Sequence, residues 1–193
     1  MQTQAENTVV LESASLPGGA PAATDPTCLD QTTKLLQEQG LATPAELHQL
    51  REHGLAPLQG PRPWDPLEFL AALRVSDPDA RPLEVEQLGR TLSQAMGQQL
   101  ALVPFASRMP TPSAFYDLHE NLLAECRRLM TPILYAEESE VIGVASINPV
   151  ALGIAAQIIM RTLEEKTGTT PIVSRILLHH DGWMALCQQQ FGI

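Results

Sequence analysis

The chain is short of aromatics, of cysteine, of positive charge and of long apolar runs, and each shortage excludes something. Aromatic residues are only 4% of the 193, so a core has to be built from Leu, Ile, Val, Ala and Met. Three scattered cysteines, Cys28, Cys126 and Cys187, make no disulfide framework and fit a reducing compartment. Lys and Arg number 12 against 22 Asp and Glu, a net charge of −10. Most of such a surface repels a phosphate backbone, so general nucleic-acid binding is disfavoured, although a local basic pocket for a small nucleotide stays open. Apolar stretches break off before the ~18 residues a bilayer requires, so no membrane insertion is expected. The N-terminus has no basic region followed by an apolar run, so no signal peptide is expected and the location reads as cytoplasmic. Nowhere does Gly-x-x-x-x-Gly-Lys-Ser/Thr occur; Thr167-Gly-Thr-Thr170 follows Lys166 without the glycine spacing and reads as a turn.

What is present is enough for a core, with 44% apolar residues. Residues 1–26 are rich in Ala, Ser, Thr, Pro and Gly and read as a mobile tail with little to bury. Residues 27–74 read as a helical subdomain. Thr27 is the expected N-cap of a first helix carrying Leu29, Leu35 and Leu36, and Gly40 is its stop. Thr43, Pro44 and Glu46 spell a capping box for a second helix bearing Leu47 and Leu50, ended by Gly54. After a Pro-rich connection, Asp65-Pro66 opens a short helix with Leu67, Phe69, Leu70 and Leu73. A second break, Ser76 to Pro82, tethers this part to the rest.

Residues 83–193 read as an α+β domain, a small mixed sheet packed with helices. Leu83–Met96 is an expected helix striped by Val85, Leu88, Leu92 and Ala95, and Gln99–Phe105 an expected strand. Ser113–Met130 is amphipathic, with Phe115, Leu118, Leu122, Cys126 and Leu129 on one side. Pro132–Ala136 is a strand, Glu137 to Glu140 an acidic turn, and Val141–Ile147 a nearly all-apolar strand, hence central and covered on both faces. Asn148-Pro149 starts a long helix that Gly168 closes; Ile172–Leu178 is the next strand, and Asp181 the expected cap of a last helix.

That order, with those residues at its joints, resembles the N-terminal domain of type II secretion and type IV pilus assembly ATPases. The run from Leu118 to Ala136, the strand Val141-Ile-Gly-Val-Ala-Ser-Ile-Asn-Pro149 and the joint Thr167-Gly168 to Pro171 carry the likeness. Leu83–Phe105 is similar to the element that precedes them, and Asn148 stands where the family has Asp. The resemblance, here without the motor domain, implies a non-catalytic adaptor or regulatory module that works by protein–protein contact. Leu35–Leu47 also resembles the helical hairpin of such domains. One branch of the family binds a cyclic dinucleotide there with an Arg-Leu-Gly triplet; here Gln31-Thr32-Thr33 stands in its place and supplies no bidentate guanidinium.

Four residues are candidates for holding a protein partner: Trp64 in the Pro-rich connection, Trp183 in the last helix, and the pair Arg127-Arg128, which suits an acidic surface. Trp183 is also a natural cover for the small core. No catalytic residue, metal or cofactor is expected. His179-His180-Asp181 has metal-ligand chemistry, but neighbouring residues on a strand face opposite ways, so a strand end beside a helix cap is the simpler reading. Cys126 with a distant His has nucleophile chemistry, yet it lies on an apolar stripe. Two alternatives to the adaptor remain: a cyclic-dinucleotide sensor using the 35–50 hairpin, and a small hydrolase of unknown type using His179, His180 or Cys126.

Overall fold

Proline opens four helices, because its missing N–H falls where a helix leaves N–H groups unbonded anyway. They are α1 (Pro26–Glu38), α2 (Pro44–His53), α3 (Pro66–Arg74) and α6 (Pro149–Thr167). The computed structural model describes residues 25–53, 64–103, 120–136 and 141–192. The remaining described elements are a 3-10 turn at Pro78–Ala80, α4 (Arg81–Ala95), β1 (Leu102–Val103), α5 (Glu120–Arg128), β2 (Ile133–Ala136), β3 (Val141–Ser146), β4 (Val173–Leu178) and α7 (His180–Phe191).

Side chains close the helix starts. Asp65 accepts from Leu67 N at 2.8 Å while Glu68 reaches back to Asp65 N at 3.3 Å, a complete capping box for α3. Thr43 and Glu46 form the corresponding box for α2, with Thr43 N donating to Glu46 at 2.7 Å. Two expected caps are corrected. Asp25, not Thr27, caps α1, accepting from Cys28 N at 2.8 Å. His179, not Asp181, holds the cap position of α7; the Asp181 side chain is 96% exposed in the first turn, where it favours the helix dipole and lies 3.8 Å from His180 Nδ1.

The fold is α+β. The sheet has the order β1-β4-β3-β2. β2 and β3 form an antiparallel hairpin in which Ala136 faces Val141. β3, α6 and β4 form a parallel crossover unit with Ile142 opposite Val173 and Ser146 opposite Leu177. β3 is an inner strand, buried along its length after Val141, as its apolar run requires. β1 is shorter than Gln99–Phe105 within the described residues. Gln98 is held back at the end of α4, its N–H on Ser93 O at 2.9 Å and its carbonyl on the Ser93 hydroxyl at 2.8 Å, so the chain joins the sheet only at Leu102.

One hydrophobic cluster runs through the molecule. Leu29 and Leu36 of α1, Leu67 and Leu70 of α3, Leu88 and Leu92 of α4, Val144, Ile159 and Trp183 all belong to it. Residues 27–74 and 83–193 therefore contribute to the same core, and α1 lies against α6. Gly54, the Pro-rich connection up to residue 63, the stretch 104–119 with the first part of the Ser113–Met130 helix, and the acidic turn 137–140 lie outside the described residues.

A polar hub on α3 fastens the helices at the surface. Arg74 donates to Glu46 of α2 and Glu84 of α4, each at 2.8 Å, and to the carbonyl of Leu41. The Arg74 hydrogen bond, aided by those from Thr43, holds the Glu46 carboxyl down at about 2. A carboxyl lowered in the folded state stabilises fully above its unfolded value near 4.5, and that contribution disappears as the pH falls toward about 2. Arg74→Met is expected to cost about 1 kcal/mol at neutral pH, the pairs being partly exposed. It should also flatten the fall of melting temperature between those two pH values, which calorimetry over a pH series measures. An unchanged acid slope would remove Glu46 as its source.

Candidate functional site

A dense set of buried polar side chains lies where α1, α3 and α6 begin. Asn148 is fully buried at the N-cap of α6. Its Oδ1 accepts from Val150 N at 3.0 Å. An N–H can only face an acceptor, so the amide group must turn the other way. There Nδ2 reaches Thr32 Oγ1 at 3.2 Å, Asp65 Oδ1 at 3.4 Å and Cys28 Sγ at 3.8 Å. Asp25, also buried, pairs with Arg128 at the end of α5. Three helix starts and one helix end are thus joined by a caps-and-charges network, and burial strengthens each bond in it.

This arrangement disposes the residues singled out from the sequence. Trp64 and Arg128 come together, lining a cavity of about 10 Å³ with Asp25, Cys28 and Asp65. That is room for about one water molecule. Trp64 is half-buried against the core. Arg128 is spent on Asp25 and Glu125. Arg127 is half-buried on the same helix. Trp183 is corrected as a surface anchor: it is fully buried, and its indole N–H donates to Met130 O at 2.7 Å. Of Gln31-Thr32-Thr33, the two threonines are buried, Thr33 bonding Leu29 O at 2.6 Å, and only Gln31 faces outward.

His179 and His180 part company. His179 Nδ1 lies 2.9 Å from Glu86 of α4, and His180 Nε2 lies 2.7 Å from the buried Glu68 of α3. The two rings clip the β4–α7 joint to two different helices. Among the described residues no group of three or more His, Cys, Asp or Glu is placed to hold a metal ion. All three cysteines are buried, and none is in a disulfide. Burial pushes the Cys126 thiol up to about 12 and the Cys28 thiol well above its ordinary value. Native protein at neutral pH is therefore expected to resist a thiol-specific dye over hours and to take up three equivalents in denaturant. Fast labelling of any one thiol in the folded state would contradict this.

The outer surface offers a different feature. β1 covers only Leu177 and Leu178 of β4, so Val173–Ile176 has no strand partner on that side among the described residues. Beside this edge run two shallow depressions of about 440 and 590 Å³ that meet at Gln98. Met96, Val150, Ile154 and Met160 floor the first, and amides and the backbone from Gly97 to Leu102 line the second. Neither is lined by an Asp or Glu; each has one arginine, Arg175 or Arg90. Sequence reasoning passed over this place, because a strand edge is defined by the length of its neighbour. The shortness of β1 was the missing signal. Among the described residues no helix is long and apolar enough to cross a membrane. Comparison with protein-family models, curated proteins and solved structures finds no match.

Proposed function

We propose that this chain is a non-catalytic adaptor or regulatory module of a secretion- or pilus-type envelope machine, acting on the cytoplasmic side by protein–protein contact. The observation that carries the reading is a contrast between inside and outside. His179, His180, the buried carboxylates and the thiols that chemistry would call on are engaged with one another or sunk in the core. What the described surface leaves open is a strand edge beside a shallow groove of apolar side chains, amides and two arginines. A polypeptide suits such a surface better than a small substrate, which needs an enclosed pocket. The choice of machine rests on the order of α5, β2, β3, α6 and β4 and the residues at their joints, which resemble the N-terminal domain of the secretion and pilus ATPases.

The test is capture of the full chain from cells after chemical cross-linking, with the partners identified by mass spectrometry. The expected result is an assembly component of a secretion or pilus apparatus. Repeated capture of native protein with no such component would overturn the reading.

A further inference from the structure

Resting on the adaptor reading, we infer that the open edge of β4 at Val173–Ile176 receives an extended, acidic segment of the partner protein as an added strand. Three observations converge on that edge. The first is the backbone: half of the N–H and C=O groups of a strand point to each side, and among the described residues β1 meets those of β4 only at Leu177 and Leu178. An incoming strand completes the ladder without any side-chain requirement, and this is how many domains take up peptides. The second is the floor. An added strand turns every other side chain toward Val150, Ile154 and Met160 of α6, which accept apolar residues, and Ile172, 82% exposed, stands at the entrance of the same edge.

The third observation is charge, and it selects the occupant. The chain has 22 acidic residues against 12 Lys and Arg, yet no carboxylate lines either depression. Arg175 on the strand and Arg90 on α4 are exposed and have no ion-pair partner among the described residues. A basic segment would meet two like charges here, whereas an acidic one alternating with apolar residues meets two counter-charges and an apolar floor. A second copy of this chain fits worse. Edge-to-edge pairing would bring its own Arg175 up against the first, and both molecules carry a net charge of −10.

The experiment uses the full chain and two fluorescein-labelled peptides, an alternating Glu-Val heptamer and its Lys-Val counterpart, followed by fluorescence anisotropy. The acidic peptide is expected to bind at least about ten-fold tighter, and to lose that advantage at about 0.5 M salt. Arg90→Glu combined with Arg175→Glu should reverse the preference; both positions are exposed, and an unchanged circular dichroism spectrum and melting temperature certify the fold. Hydrogen exchange should slow at Val173–Ile176 when the acidic peptide is bound. Equal affinity for both peptides, no binding of either up to about 1 mM, or a preference that survives the double reversal would overturn the inference. So would self-association of the free chain that the reversal abolishes, which would make a second copy the occupant. If the doubly reversed chain still captures its envelope partner as well as the original, this edge is the wrong surface while the adaptor reading stands.

Discussion

Gly89→Ala should destabilise the protein by about 3 kcal/mol, although in a bare helix the same change stabilises. Gly89 lies in the middle of α4, where glycine costs roughly 1 kcal/mol relative to alanine. The backbone it crosses reverses the sign. A Cβ at Gly89 would stand 2.4 Å from the carbonyl oxygen of Ile147, far inside contact distance, with Leu177 close behind. The obstacle is not a flexible chain end but backbone just after β3, while Leu177 Cδ1, at 3.7 Å, is in ordinary van der Waals contact. The helix has to lift off the sheet, and the core beneath it loses its packing. Gly153, in the second turn of α6, is the control, because a Cβ there meets nothing within 4 Å. Gly153→Ala should gain about 0.5–1 kcal/mol from chain entropy and helix propensity. Urea unfolding of the two variants measures both, and a Gly89→Ala protein as stable as the original would refute the close crossing.

Asn148→Asp carries the second large effect, again about 3 kcal/mol at neutral pH. Aspartate caps a helix as well as asparagine, so the bond to Val150 N survives and the loss isolates the amide. In place of an N–H₂ donating to Thr32, Asp65 and Cys28, the variant sets a second carboxylate against the buried Asp65. Like charges at that separation, out of water, raise the pKa of the pair. A carboxyl raised in the folded state favours folding below its unfolded value and loses that contribution as the pH rises through the folded one. The deficit should therefore be largest near neutrality and shrink on acidification, as the protonated acid regains a donor. Melting curves from about pH 7 to pH 4 decide it, and a deficit constant across that range would mean that the charge pair is not its cause.

Much of the fold was legible because its signals are local. The proline starts, the Thr43–Glu46 box, the Asn148-Pro149 opening of α6, the Gly168 stop and the unbroken apolar run of β3 each involve residues within a few positions of one another. The misses have the opposite character. Asp25 outcompetes Thr27 as a cap, and its carboxylate also meets Arg128, a hundred residues on. Asp181 gives way to His179 because both histidines are drawn to carboxylates on α3 and α4. Trp183 takes the core position already suggested for it, but the carbonyl it bonds, that of Met130, lies 53 residues away in the chain. Gly89 looks in sequence like a flaw in a helix, and only the sheet beneath makes it necessary. The open edge of β4 was illegible for a similar reason: no residue encodes it, only the two-residue length of the strand beside it.

The partnership of α1 with α6 bears on how the chain is made. Thr32 waits for Asn148, 116 residues later, and Leu29 and Leu36 belong to a core completed by that same late helix. At about 5–20 residues per second, α1 leaves the ribosome roughly 6–23 seconds before the part of its cover that α6 supplies, although α2 and α3 follow it at once. A nascent chain arrested ahead of α6 should accordingly bind chaperones that recognise exposed leucines, and release them once the Asn148 turn has emerged.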